Sequence, residues 1–419
     1  MNIFAASFLL PVSSPPIEGG ALVVDRGRII DCGKLSAMRE LYPGQVQEFP
    51  GCVIMPGFVN AHTHLELTHF PSWKIRKGID YSPRTYVDWV IQVIKINRGL
   101  TQQERELSLH EGICISLESG TTSIGDVLSD GMYLPIYENL PVSGRLFLEA
   151  LGRDPLRTVS LLARLETQLS LFEGSDILPG LSPHAPHTLS AAFFRDVARL
   201  AERQSVPLAI HLAESREELD FFFDSTGKIA ELLYPHVGWQ NYIPSPQKTT
   251  PVEYLDRLGI LSAAPTVIHC VHVNHADAEL LAKHGAKVVL CPRSNDKLDV
   301  GKAPAYLFKK LGIPLALGTD SLASNDSLSL QDEMIFLMQN FPGVFSAGEV
   351  LHMATLGGAR AIGLDHETGS LEKGKRADFL VMSLENIPKE EDLPGAVIEE
   401  GKLREVFIKG ELLKGSDFK

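Results

Sequence analysis

A chain of 419 residues can bury a large core, as two or three domains or as one large α/β barrel with a smaller unit. Its hydrophobic content of 44% and charged content of 22% are those of a globular protein, and a formal net charge of −13 argues against nucleic acid or an anionic membrane surface as a main partner. Five cysteines (Cys32, Cys52, Cys114, Cys270 and Cys291) form no C-x-x-C pair, which suits a reducing compartment and sets aside zinc sites built on H-x-E and P-C-x-x-C. The cytoplasm is the expected location.

Residues 3–10 are apolar, but no basic residue precedes them and they are short for a membrane span, so they read as a first strand. Ala21-Leu-Val-Val, the turn Asp25-Arg-Gly27 and Arg28-Ile-Ile-Asp-Cys32 then predict a hairpin. The far end mirrors this with Asp378-Phe-Leu-Val-Met382, Glu405-Val-Phe-Ile-Lys409 and Gly410. Neither end alone can bury both faces of a sheet. Together, residues 1–57 and 369–419 predict one composite β unit, a small sandwich.

Between them, short apolar runs fall at residues 58–61, 121–127, 145–151, 177–182, 208–210, 266–270, 287–290 and 315–317. Segments of helical periodicity, such as 191–204, 277–284 and 346–362, separate or follow these runs. Eight strands alternating with helices predict a parallel (β/α)8 barrel of the TIM type over residues 58–368. Residues 234–251, rich in Pro, Gln and Thr, predict the long loop.

The first run ends in His62-Thr-His64. Side chains on an extended strand alternate, so His62 and His64 project to one side and make half of a transition-metal site. An isolated pair could equally be core or surface histidines, so the other strand ends decide. In a barrel the catalytic groups gather where strands end on the C-terminal face. The fourth run ends in Ser182-Pro-His184, the fifth in His211-Leu-Ala-Glu214, the sixth in His269-Cys-Val-His272 and the eighth in Gly318-Thr-Asp320. Five ends carry metal-ligand or acid–base residue types, and no comparable set marks the strand starts.

Pro56-Gly-Phe-Val-Asn-Ala-His-Thr-His64, His211-Leu-Ala-Glu214, His269-Cys-Val-His272 and Leu317-Gly-Thr-Asp-Ser-Leu-Ala-Ser-Asn325 resemble the amidohydrolase superfamily. Within it, the chain is similar to the deaminase and chlorohydrolase branch that handles aminopurines, aminopyrimidines and triazines. The resemblance covers nearly the whole chain, down to the closing Gly-Ser-Leu-Glu-Lys-Gly-Lys-Arg-Ala-Asp378. It implies His62, His64, His211 and Asp320 as metal ligands, a set that leaves an open position for water. His184 stands where binuclear relatives carry a carbamylated lysine, which implies one divalent metal rather than two. Zinc suits three imidazoles and a carboxylate, and iron or manganese is compatible with them. The resemblance further implies that Asp320 accepts a proton from water, Glu214 protonates a ring nitrogen and His269 orients the attacking group, with His184 a contact to substrate.

Other residues carry two readings each. Glu66 continues the alternation from His62 and His64, so it binds substrate in the pocket or caps the next segment of chain. Arg293 comes after the seventh strand, where a guanidinium would bind a substrate carboxylate or phosphate, or lie on the surface. Trp73, Tyr81 and Trp89 line the pocket or pack. Glu217, Glu218 and Asp220 read as capping or solvated acids, His272 as packing, and His187, His275, His284, His352 and His366 as structural or exposed.

The expected activity is metal-dependent hydrolytic deamination of a small aminated heterocycle, most simply an aminopurine nucleoside. The segments His-Thr-His-Leu-Glu66 and Cys-Pro-Arg-Ser-Asn295 are similar to those of aminodeoxyfutalosine deaminases of menaquinone synthesis, followed by S-adenosylhomocysteine and methylthioadenosine deaminases. The latter carry a ribose-binding glutamate where Ile96-Asn-Arg98 stands here, so ribose recognition in that manner is not expected. Alternatives are hydrolysis of a chloro- or alkylamino-heterocycle, deamination of guanine or cytosine, or a catalytically silent barrel scaffold. Retention of every ligand and of Glu214 argues against the scaffold. Association into a homo-oligomer is left open.

Overall fold

The computed structural model describes residues 1–79 and 81–418. The eight apolar runs form eight parallel strands: Phe58–Thr63, Thr121–Leu128, Ser143–Ala150, Leu178–Pro183, Ala209–Leu212, Thr266–His269, Lys287–Leu290 and Leu315–Leu317. The first four pair in order as one arc and the last four as a second. Parallel bridges of Leu181 to Leu208 and of Thr63 to Asp320 join the arcs. The Leu181 and Asp320 amides donate across these seams to the carbonyls of Pro207 (3.0 Å) and His62 (3.1 Å). The sheet thus closes into a barrel, which removes its edges.

Every strand sends a side chain into one cluster, with Val59, Ala61, Val127, Phe147, Ala209, Ile268, Val289 and Ala316 buried in it and Leu178 packed against it. Ile362 and Ala361 close the end where the strands begin, and the carbonyl of Ala361 accepts from the Thr266 hydroxyl at 2.6 Å. The opposite end is left open for the site. A larger apolar cluster joins the strands to the surrounding helices.

Helix Ala191–Gln204 spans the residues its periodicity predicts, with Ser190 accepting from the Phe193 amide as its cap. The predicted helix 346–362 breaks instead into Ala347–Met353 and Leu356–Ala361, because Thr355 leaves helical geometry (φ −131°, ψ −99°). The break lets Gly358 lie against the first barrel strand, where a Cβ would sit 2.4 Å from the Val59 carbonyl oxygen. The predicted loop 234–251 contains a short helix, Tyr234–His236, and a 3-10 turn, Gln240–Tyr242.

Strands from both chain ends share one sheet. Asn2–Leu9, Ile17–Glu18, Gly20–Asp25, Arg28–Lys34 and Gln45–Pro56 come from one end; Phe379–Ser383, Lys402–Ile408 and Glu411–Leu412 come from the other. Gln45–Pro56 is the junction, parallel to Asn2–Leu9 on one side and antiparallel to Phe379–Ser383 on the other. Phe4 and Phe407 stand on strands three places apart, a separation of roughly 14 Å on a flat sheet. Their ring centroids are nevertheless 5.0 Å apart, so the sheet folds over itself as a sandwich around Phe4, Phe49, Phe379 and Phe407. Arg26 and Gly27 form the hairpin turn, both with positive φ (46° and 75°), which matches the twist of the flanking strands. No described helix is long and apolar enough to cross a membrane, and all five cysteines are free.

Candidate active site

At the open mouth, His62, His64 and His211 bring ring nitrogens within 4.8 Å of one another. Strict alternation is not what brings the first two together. The first strand ends at Thr63, and its ladder slips between Asn60 and Thr63. Nε2 of His64 and Nε2 of His211 are 3.2 Å apart. Such an approach requires that they not both be protonated. Burial keeps all three rings neutral: it pushes His62 and His211 below the usual imidazole range, and His64 to about 3. The His184 carbonyl can only accept, so His211 donates to it from Nδ1 (3.1 Å) and turns the Nε2 lone pair inward.

Asp320 completes the cluster, with Oδ1 3.7 Å from His62 Nε2 and 3.9 Å from His64 Nε2. The hydroxyls of Ser294 and Ser324 donate to its Oδ2, each at 2.7 Å. Burial works against its charge, but polar contacts from the imidazoles, that of His62 first and those of His269 and His64 after it, hold the carboxyl below its usual range. The Asp320 backbone is left-handed (φ 57°) and is fixed by the Thr63 hydroxyl on its carbonyl at 2.8 Å. His62 Nε2 is buried with no hydrogen-bond partner among the described residues. An orphaned lone pair, two more imidazoles and a carboxylate form a donor set that fits a divalent cation.

Beside this cluster lie Glu214 and His269. Ala213, in left-handed geometry (φ 49°), turns the chain after the fifth strand and aims Glu214 back at the site. Burial pushes the Glu214 carboxyl up, against the opposing pull of His269. The Tyr86 hydroxyl donates to its Oε2 at 2.9 Å, and His269 Nε2 lies 3.7 Å from its Oε1. Asn295 Oδ1 is 2.9 Å from His269 Nδ1, which places the ring proton there and leaves Nε2 free as an acceptor.

Behind Glu214, Glu218 stands in the first turn of the helix Arg216–Asp224 as a buried acid, not a solvated one. Its Oε2 accepts from the Glu214 amide at 3.1 Å, and Oε1 has no partner among the described residues. Burial pushes Glu218 from 4.5 to about 8. Below 4.5 both folded and unfolded states hold this proton. Between about 4.5 and 8 the unfolded chain gives it up first, so stability falls as pH rises through that window. Glu218→Gln keeps the bond to the Glu214 amide and removes the titration. Melting temperatures of metal-stripped protein between pH 5 and 8 should therefore fall less in the variant than in the native chain. Parallel curves for the two proteins would contradict the account.

The cluster opens into a cavity of about 350 Å³. Glu66 forms part of its wall, accepting from the Ser129 amide (3.3 Å) and hydroxyl (2.9 Å). His184 is on the wall too, its ring stacked on His211 with centroids 4.7 Å apart. Trp89 lines the cavity and donates from Nε1 to the Ala323 carbonyl at 3.0 Å. Trp73 packs with Phe70 and Ile96, and Tyr81 is exposed.

Of the two readings of Arg293, the surface one holds. Arg293 does not reach the cavity: the helix Pro292–Lys297 carries it to the far side, where Nε donates to Asn325 Oδ1 (3.2 Å) and the guanidinium pairs with Asp326. Of the two readings of His187, structural or exposed, the buried one holds, with a place the sequence did not give it. It is buried on the cavity wall, and its Nδ1 has no partner among the described residues. His272, as expected, packs outside, with Nε2 2.8 Å from the Val300 carbonyl oxygen.

A model of the amidohydrolase family matches residues 53–413. An aminodeoxyfutalosine deaminase of Deinococcus radiodurans is 32% identical over 358 residues, which is 82% of this chain and 81% of that protein. A 5-methylthioadenosine/S-adenosylhomocysteine deaminase of Nitratidesulfovibrio vulgaris is also 32% identical, over 88% of this chain and 80% of the relative. The crystal structure of Helicobacter pylori aminofutalosine deaminase in complex with methylthio-coformycin matches with a TM-score of 0.87. It covers 99% of this chain and 100% of that one at 22% identity, a likeness of fold. A match over most of the length, with relatives at 32% identity, shows that the chain belongs to the amidohydrolase family.

Proposed function

We propose that this protein is a metal-dependent hydrolytic deaminase that replaces the exocyclic amine of an aminopurine-type ring with oxygen and releases ammonia. The observation that carries this reading is Glu214: a buried carboxyl, its pKa raised, held by the Tyr86 hydroxyl and facing His269 beside the three histidines and Asp320. A divalent cation held by His62, His64, His211 and Asp320 would supply Lewis-acid activation of a water, lowering its pKa from 15.7 to about 7. Zinc is the proposed ion, on the softness of imidazole ligands.

In its protonated form Glu214 donates to the ring nitrogen beside the reacting carbon, which makes that carbon electrophilic. Asp320 Oδ1 takes a proton from the attacking water. His269, with its lone pair at Nε2, accepts a hydrogen bond from that water and fixes its line of approach. Glu214, now ionised, takes the proton of the added hydroxyl as the carbonyl forms and passes it to the departing amine, and the proton held by Asp320 restores the acid form of Glu214, so one water enters and one ammonia leaves. His184 and Glu66 stand on the wall where the substrate lies.

For the substrate we propose an adenosine-like nucleoside, aminodeoxyfutalosine first and 5-methylthioadenosine or S-adenosylhomocysteine second, supported by the relatives that carry those names. Five free thiols support the cytoplasm as the place of action. The test is an ammonia-release screen over aminated nucleosides and free bases, with metal content measured on the same preparation. Turnover of an adenosine-type nucleoside with one bound divalent ion per chain is expected. Metal-replete protein that releases ammonia from no aminated heterocycle would end the deaminase reading.

A further inference from the structure

Among the described residues, four carboxylates line the cavity: Glu66, Glu149, Glu214 and Asp320. Three have protein donors. Ser129 serves Glu66, Tyr86 serves Glu214, and Ser294 and Ser324 serve Asp320. Glu149, at the end of the third barrel strand, accepts no hydrogen bond among the described residues. Its basic neighbour is His184, with Nε2 3.9 Å from Oε1 and beyond hydrogen-bond reach. Only 19% of the side chain is exposed, and the cavity is where that exposure lies. Burial, with the charge of Glu66 nearby, pushes the carboxyl up to about 7. A carboxylate withdrawn from water without donors is costly to keep, and a ligand that brings donors repays the cost.

We infer that Glu149 is a specificity-determining residue that accepts hydrogen bonds from a vicinal diol of the substrate, such as the sugar hydroxyls of a nucleoside. The inference rests on the deaminase reading for the orientation of the ligand. An ionised carboxyl is acceptor-only, with two oxygens side by side, and two O–H groups on adjacent carbons match it. An anionic substituent at this place would be repelled by Glu149 and Glu66 together. Placement agrees as well. His184 stacks on His211, and Glu149 lies beyond His184, one ring removed from the reacting end. A base reacting at Glu214 carries its sugar into that space.

The experiment compares kcat/KM for adenosine, 2′-deoxyadenosine and 3′-deoxyadenosine in the native enzyme, Glu149→Gln and Glu149→Ala, with metal content and circular dichroism as controls. Loss of a hydrogen bond to a charged group costs about 10- to 100-fold, so the native enzyme should lose that much on either deoxy substrate. The variants should lose activity on adenosine and discriminate little between the three. A carboxylate that only held His184 in place would slow all three substrates equally and leave their ratios native. That result, or a native enzyme indifferent to the hydroxyls, overturns the inference. If no nucleoside released ammonia, the deaminase reading would fall separately. Calorimetric binding of adenosine against 2′,3′-dideoxyadenosine, native and variant, would then decide Glu149 by the same loss of discrimination.

Discussion

Glu214→Gln should lower kcat by about 10²- to 10⁴-fold, the usual contribution of a positioned acid–base group, while metal content and fold stay native. Glutamine matches the shape and can still accept from the Tyr86 hydroxyl, but it holds no transferable proton. Burial raises the carboxyl's pKa, which keeps the proton on Glu214 at pH values where an exposed glutamate has lost it. This fixes the sign of the pH dependence. The acid form is the working form, so native kcat falls on the alkaline side as Glu214 ionises. Asp320, held low by its histidine neighbours, stays ionised across the same range and adds no loss there. In Glu214→Gln the alkaline limb due to this group should disappear along with most of the rate. Single-turnover ammonia release measured from pH 6 to 9 reads both effects. A variant with native kcat would show that the ring proton comes from elsewhere.

The second large effect is expected at Asp320. Asp320→Asn should cost on the order of 10⁴-fold in rate, the upper end for an acid–base group, because it removes a proton acceptor and the cluster's only anionic ligand together. Three neutral imidazoles and an amide hold a divalent ion far more weakly, so elemental analysis should show depleted metal after dialysis. The fold should survive. Position 320 is left-handed, a geometry asparagine tolerates well, and its side chain retains an oxygen for the Ser294 and Ser324 hydroxyls. Native melting behaviour in the stripped state, with activity gone, separates chemistry from stability. A metal-depleted variant restored to native rate by excess zinc would assign Asp320 to binding alone.

Most of the scaffold was legible because a parallel barrel leaves a plain signature. Each strand is buried on both faces, so Lys287–Leu290 and Thr266–His269 stand out as short apolar runs between helical segments. The barrel rule turns residues far apart in sequence into neighbours, which is why His62, His211, Glu214, His269 and Asp320 gather on strand ends. The same rule points, on the third strand, to Glu149, the acid closing the run Leu-Phe-Leu-Glu149. With no histidine beside it, that position reads as an ordinary strand end, and the signal is easily missed. Tyr86 carries no such signal. It meets Glu214 across 128 residues, and nothing local marks a helix-borne tyrosine as a partner of a distant acid. Arg293 misleads for a related reason: its position after the seventh strand is plain, but the direction taken by the short helix Pro292–Lys297 is not.

The sheet shared by the two chain ends has a consequence for biogenesis. Gln45–Pro56 finds its parallel partner Asn2–Leu9 as soon as both leave the ribosome, but its other flank must wait for Phe379–Ser383, roughly 300 residues downstream. At 5–20 residues per second that wait is on the order of tens of seconds. During it, the hydrogen-bonding edge of Cys52, Val53, Ile54 and Met55 stands open while the barrel grows from the next strand, Phe58–Thr63. An open apolar edge recruits the wrong strand as readily as the right one. Closure of the sheet by the last segment is thus the step expected to end the nascent chain's exposure to mispairing and chaperone capture.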